Sequence, residues 1–199
     1  MTQTIDITVN GARRKVETKD NALLLDLIRD KIDVKSVKAG CWRGECGLCT
    51  VLLDGKPVKS CLVLAVEANG REVKTAEGLA PEGQLARIQQ LFVEKGAMQC
   101  GFCTPSFVLT AYYSLQRNSN PTEQEIREFL SGHICRCGTY KQIIEAILEY
   151  AKEMRQEEKI PLPQPLVRRK KRKMSNPARR RTSAYNLDLS AVEFCRSLQ

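Results

Sequence analysis

The cysteines constrain this chain more than any other feature of its sequence. Eight of the nine fall into two groups of four, one near the N-terminus and one farther along the chain. The first group is Cys41, Cys46, Cys49 and Cys61, and the second is Cys100, Cys103, Cys135 and Cys137. Four thiols grouped in this way predict a metal centre bound through sulfur, so the chain has to fold in a way that makes each group converge.

The residues between the cysteines favour iron–sulfur clusters. The spacing Cys41-x4-Cys46-x2-Cys49 is that of plant-type [2Fe–2S] ferredoxins, although the gap to Cys61 is shorter than in those proteins. Half of the 12 glycines lie in or beside the cysteine segments, at positions 40, 44, 47, 101, 132 and 138. Backbone without a Cβ can approach a cluster closely, and its N–H groups can stabilise the negatively charged sulfur.

Two structural zinc sites with four thiolates each are the main alternative, because Cys-x2-Cys is also a common zinc-binding unit. Zinc ribbons usually pair two such units, whereas neither group here contains two. Disulfides are disfavoured, since a bridge between Cys135 and Cys137 would be strained and no secretory signal is visible. A Rieske centre is excluded, because it needs two histidine ligands and the chain has only His133. We interpret His133 as a packing or surface residue rather than a ligand.

The N-terminal sequence predicts a small mixed sheet. Alternating apolar residues indicate a strand over 4–9, and an Asn10-Gly11 turn predicts that 13–18 returns as a second strand. A short helix follows, for which Asp20 or Asn21 can serve as the N-cap.

Further strands are predicted over 50–53, 57–67 and 71–75. Together with the hairpin and the short helix they are typical of a β-grasp fold. This predicts a plant-type ferredoxin-like domain over residues 1–78.

From about residue 83 the apolar residues recur at helical spacing. The pattern is clear over 85–92, 107–115 and 140–151, and a capping box, Thr122-x-x-Glu125, opens a further helix. Residues 83–156 are therefore predicted to form a four-helix domain around the second cysteine group, and the whole chain is assigned to the α+β class.

The positive charge is concentrated in the tail. Residues 1–160 carry 22 Lys and Arg against 21 Asp and Glu, whereas 161–199 carry 10 against 2. Residues 160–199 combine a proline-rich linker with this basic segment and are predicted to be disordered or to dock on a partner. Because the rest of the chain is nearly neutral, no nucleic-acid partner is expected. If the sites held zinc, the alternative function would be an interaction module whose basic tail binds a polyanion.

Nothing in the sequence predicts export or membrane insertion. The apolar runs are too short to span a bilayer, and the first residues lack the pattern of a signal peptide. A cytoplasmic location is therefore expected.

Four motifs contain the cysteines: AGCWRGECGLCTVLLDG from residue 39, SCL from residue 60, QCGFCTP from residue 99 and ICRCGTY from residue 134. These motifs resemble those of the small iron–sulfur subunit of molybdenum hydroxylases, the family of xanthine dehydrogenase, aldehyde oxidoreductase and carbon monoxide dehydrogenase. They occur in the family's order and spacing, and the likeness covers about residues 3–155. Ser106 stands where the family usually has glycine.

The resemblance implies an electron-transfer subunit with two [2Fe–2S] clusters. The first cysteine group would hold a cluster on the flavin side, and the second would hold one on the molybdopterin side. Gln99 matches a glutamine that approaches the pterin. Electrons would pass from molybdopterin on a large subunit, through both clusters, to FAD on a medium subunit or to another acceptor. The resemblance assigns no substrate chemistry to this chain and leaves the substrate and the stoichiometry of the complex open.

Overall fold

The structure, a computed structural model, describes residues 1–159. The linker and basic tail predicted for 160–199, and with them Cys195, lie outside the described residues.

The chain begins with the predicted hairpin. Strands β1 (Thr2–Val9) and β2 (Ala12–Lys19) pair antiparallel along their whole length. Asn10 and Gly11 connect them with φ angles of 51° and 81°, as a type I′ turn requires.

The short helix α1 (Leu24–Asp26) continues into a π-helical turn, Leu27–Lys31. The predicted cap by Asp20 or Asn21 is wrong, because Leu23 occupies the N-cap position and no side chain caps the helix. The cause is a distant contact: the Leu24 N–H donates to the carbonyl of Val63 at 2.8 Å, which keeps the preceding residues extended.

Three more strands complete a mixed five-stranded sheet: β3 (Thr50–Leu53), β4 (Lys56–Lys59) and β5 (Glu72–Lys74). The strand order is β2-β1-β5-β3-β4, and β1 and β5 run parallel. The prediction of a strand over 57–67 is wrong beyond Lys59, because the chain turns into short 3₁₀ segments at Ser60–Leu62 and Ala65–Ala68.

Four α-helices follow, with a short 3₁₀ segment at Ala76–Leu79 before them. They are α2 (Arg87–Glu94), α3 (Thr104–Arg117), α4 (Glu123–Phe129) and α5 (Tyr140–Lys159). The predicted capping box is present at α4, where the Thr122 hydroxyl accepts from the Glu125 N–H and the Glu125 carboxylate accepts from the Thr122 N–H. None of the helices within residues 1–159 is long and apolar enough to cross a membrane.

Two apolar cores organise these elements. The first lies between the sheet and α1, with Ile7, Leu25 and Val51 fully buried. The second lies among α2 to α5 and includes Phe92 and Phe107. Both cores belong to one compact unit, Met1–Pro161, so the domain boundary at 78–83 stays a prediction.

We expect Phe92→Ala to lower the free energy of unfolding by about 3–5 kcal/mol, because it removes a ring that is 0 % exposed in the second core. Phe129→Ala is the matched control, since that ring is 40 % exposed, and its cost should stay below about 1 kcal/mol. Urea denaturation followed by circular dichroism measures both. Equal costs would contradict the assignment of this core.

Candidate functional site

The fold gathers the first cysteine group at one end of the sheet. Cys41 and Cys46 lie in the loop before β3, Cys49 directly precedes that strand, and Cys61 lies in the 3₁₀ turn after β4. The thiols of Cys41 and Cys46 contact each other, as do those of Cys49 and Cys61. The Ser60 hydroxyl donates to the Cys49 carbonyl at 2.7 Å, which turns the chain so that Cys61 faces the group.

Backbone donors make the Cys41 thiol more acidic than a free thiol. The N–H groups of Arg43 and Cys46 each donate to its Sγ at 3.4 Å, and they lower the pKa of Cys41 to about 6. Trp42, between Cys41 and Arg43, adopts the left-handed region at φ 59°, and this turn brings the Arg43 N–H back towards the sulfur. Cys41 therefore carries a thiolate at neutral pH.

Cys61 behaves in the opposite way. Burial, followed by contact with the Cys49 thiol, raises the pKa of Cys61 to about 11. Such a thiol loses its proton when a metal binds, because the bound cation compensates the negative charge.

The second cysteine group lies among the helix ends. Cys103 is the N-cap of α3, Cys135 and Cys137 precede α5, and Cys100 follows α2. The Sγ atoms of Cys100 and Cys137 are 3.4 Å apart, and Cys103 contacts Cys135.

The same contrast of acidities is found here. Burial raises the pKa of Cys103 to about 12. Burial acts in the same direction on Cys135, but hydrogen bonds from the Thr139 hydroxyl and backbone N–H outweigh it and lower the pKa of Cys135 to about 7. The Phe102 N–H, followed by the Cys137 thiol, lowers the pKa of Cys100. Each group thus contains at least one thiol with a lowered pKa and one buried thiol with a raised pKa.

The contacts arrange the eight thiols as four pairs: Cys41 with Cys46, Cys49 with Cys61, Cys100 with Cys137, and Cys103 with Cys135. In the part of the chain that the structure describes, no three His, Cys, Asp or Glu side chains are grouped to hold a single metal ion. A two-iron cluster takes two protein ligands at each iron. The paired thiols therefore fit a [2Fe–2S] cluster in each group.

Close packing around the first group also fits a cluster. A Cβ on Gly40 would lie 2.9 Å from Cys46 Sγ and 2.8 Å from a Leu48 methyl. Only a residue without a side chain lets the loop close over the sulfur at this position.

The two cysteine groups meet along a seam formed by residues 46–47 and 132–134. The Ile134 N–H donates to the Cys46 carbonyl at 3.0 Å, and Lys59 Nζ donates to the Gly132 carbonyl at 3.0 Å. Gly47 fits so tightly that a Cβ there would lie 2.4 Å from the same Gly132 oxygen. Because Cys135 follows Ile134, the seam joins the ligand segments of both groups.

His133 is buried in this seam, at 6 % exposure. Its Nε2 lies 3.3 Å from the hydroxyl of Thr50 and 3.0 Å from that of Thr110. Burial, followed by the charge of Lys59, lowers the pKa of His133 to about 4, so the ring is neutral at physiological pH.

Sequence reasoning missed three polar groups that support the second cysteine group. The Thr139 hydroxyl lies 3.2 Å from Cys135 Sγ, and the Tyr140 hydroxyl accepts from the Cys135 N–H at 2.8 Å. Ser106, where the family usually has glycine, donates to the Cys103 carbonyl at 2.8 Å. All three lie within or next to the cysteine motifs, and this adjacency was the available signal. Gln99 is exposed, next to the exposed Cys100.

Comparisons with known proteins agree with this chemistry. Residues 7–80 match the family described as a 2Fe-2S iron-sulfur cluster binding domain, and residues 75–148 match the one described as a [2Fe-2S] binding domain. The chain therefore contains two [2Fe–2S]-binding domains.

Two relatives match along nearly their whole length. The nicotinate dehydrogenase small FeS subunit of Eubacterium barkeri is 45% identical over 150 residues, which cover 75% of this chain and 95% of the relative. The xanthine dehydrogenase iron-sulfur-binding subunit of Escherichia coli O157:H7 is 42% identical over 153 residues, covering 76% and 96%. A solved structure, quinoline 2-oxidoreductase from Pseudomonas putida 86, superimposes with a TM-score of 0.75 at 39% identity, covering 79% of this chain and 98% of that one.

We expect Gly47→Ala to disrupt the seam, whereas Gly55→Ala should not. Both glycines have a φ of 75°, so a left-handed alanine costs about 1–2 kcal/mol at either position. Only the Cβ at position 47 meets another segment, which adds about 1–3 kcal/mol, while that at position 55 has nothing within 4 Å. Urea denaturation of both variants tests the difference, and equal losses of stability would show that the seam is loose.

Proposed function

The chain belongs to the small iron–sulfur subunits of molybdenum hydroxylases, and we propose that it conducts electrons through two [2Fe–2S] clusters. The electrons would come from the molybdopterin site of a large partner subunit. They would leave to FAD on a medium subunit or to another acceptor. The observation that carries the proposal is the arrangement of eight thiols as two sets of two contacting pairs, joined by one seam.

In this proposal each set holds one cluster. Cys41, Cys46, Cys49 and Cys61 are the ligands of the first, and Cys100, Cys103, Cys135 and Cys137 are those of the second. When bound, a cluster supplies one-electron redox chemistry. The chain supplies the environment: the N–H groups of Arg43 and Cys46 and the hydroxyl of Thr139 stabilise negative sulfur, while the buried Cys49 and Cys103 exclude water.

The seam supplies the connection between the sets. From the thiol of Cys46 a continuous path runs through that residue's own carbonyl, across the hydrogen bond from the Ile134 N–H and along the backbone to Cys135. Gly47 packs directly on Gly132, so the two segments are in contact beside this path.

The exposed groups next to each set suit two partner surfaces. Cys100 and Gln99 are exposed beside the second set, with the apolar side chains of Phe102 and Ile134 45 % and 52 % exposed. We assign this face to the molybdopterin-binding subunit, with Gln99 as the group that approaches the pterin. Trp42, 49 % exposed beside Cys41, marks the face toward the flavin subunit.

Substrate chemistry belongs to the partner subunit in this proposal, so no residue of this chain acts as an acid, base or nucleophile. Nicotinate and quinoline, named with two of the relatives, are N-heteroaromatic rings. Compounds of this class are the first substrates to test on the complex. The cytoplasm is the compartment we expect, because thiols stay reduced there until clusters are inserted.

Metal and acid-labile sulfide analysis of anaerobically purified protein tests the proposal directly. We expect about four iron and four sulfide per chain, and two distinct S = ½ EPR signals after reduction with dithionite. Zinc without sulfide would overturn the proposal and support the polyanion-binding alternative.

Single ligand substitutions test the grouping. Cys46→Ser should change or remove the EPR signal of one cluster, and Cys103→Ser that of the other, because each variant removes one of four thiolates from a different set. Cys195→Ser is the control, since Cys195 belongs to neither group, and it should leave both signals unchanged. If Cys46→Ser and Cys103→Ser altered the same signal, the grouping would be wrong.

A further inference from the structure

One side chain connects segments that carry ligands of both sets. His133 lies two residues before Cys135, and its ring reaches Thr50, the residue after Cys49. The same Nε2 atom also reaches Thr110 on α3, the helix that Cys103 caps. All three hydrogen-bonding residues are buried, with at most 6 % exposure.

The hydrogen bond that the Thr50 hydroxyl donates shows which nitrogen of the His133 ring carries the hydrogen. The Thr50 hydroxyl donates to the Gly47 carbonyl at 2.6 Å, so it has no second proton to offer. Towards His133 it can only accept, and therefore Nε2 carries the hydrogen. The Thr110 hydroxyl, at 3.0 Å, shares this donor as a second acceptor.

The other ring nitrogen has no partner. Nδ1 of His133 is buried and makes no hydrogen bond within the described residues. A buried nitrogen without a hydrogen-bond partner costs free energy, and the hydrogen bonds of Nε2 are the polar contacts that can offset this cost.

We propose that His133, through its Nε2–H, is a positioning residue that fixes the spacing between the two cysteine sets. It does so by tying the start of β3 and the N-terminal half of α3 to the segment that leads into Cys135. The proposal rests on the proposed function, because the spacing matters only if both sets hold clusters.

The magnetic interaction between the two reduced clusters is the readout. Two S = ½ centres split each other's EPR signals at low temperature, and the splitting falls steeply with the distance between them. A role in packing alone would change stability and leave this splitting unchanged.

The decisive pair of variants is His133→Gln and His133→Leu. Glutamine places an amide N–H close to the position of Nε2 and should retain the wild-type splitting, whereas leucine offers similar bulk without a donor and should lose it. Iron and sulfide contents are measured in parallel and should stay at the wild-type level. An unchanged splitting in His133→Leu with both clusters present would overturn the proposal.

Variants of the threonines keep the test valid if His133→Leu does not fold. Thr110→Val removes one acceptor and should reduce the splitting, whereas Thr75→Val, at an equally buried hydroxyl bonded to Asn10 and Glu77, should leave it unchanged. An unchanged splitting in Thr110→Val, or the same change in both variants, would contradict the proposal. Failure of the proposed function gives a different result, because the wild-type protein would then lack two cluster signals.

Discussion

The structure depends on bringing anionic sulfur out of water. Burial opposes ionisation, and it raises the pKa of Cys61 and Cys103 well above that of a free thiol. Local donors act in the other direction at Cys41 and Cys135. Each set therefore contains a thiol that ionises readily and can bind metal first. It also contains a buried thiol that ionises only when the metal binds. Metal binding to the empty chain must release protons from those buried thiols.

The seam adds a second constraint, because the loop of the first cysteine set packs against the segment that leads into the second. The loop that carries Cys46 is closed by backbone from the segment that precedes Cys135. Gly47 lies so close to the Gly132 carbonyl that no side chain would fit at position 47. The two family matches describe two domains, yet the loop of the first cysteine set is closed by backbone from the second.

The features predictable from the sequence are those determined by neighbouring residues. The Asn10-Gly11 turn and the Thr122 capping box depend on a few adjacent side chains, and both are confirmed. The mixed sheet was predictable in the same way, from short apolar segments bounded by turn residues. The cysteine groups were visible as spacings, and the structure brings each group together, although the ligand assignment stays a prediction.

The remaining features depend on residues far apart in the chain. The strand predicted to continue to residue 67 ends early, and the start of α1 is set by Val63 rather than by a polar cap. The interpretation of His133 left its role open, because its partners are 83 and 23 residues away and nothing beside it reveals them.

The position of Ile134 in the sequence has a consequence for biosynthesis. A ribosome releases the chain from its N-terminus, so the loop around Cys46 leaves the exit tunnel long before its hydrogen-bond donor exists. Until residue 134 has been synthesised, the Cys46 carbonyl has only water to bind. The loop of the first cysteine set can therefore reach its final enclosure only when the ribosome has begun the last ligand segment of the second set.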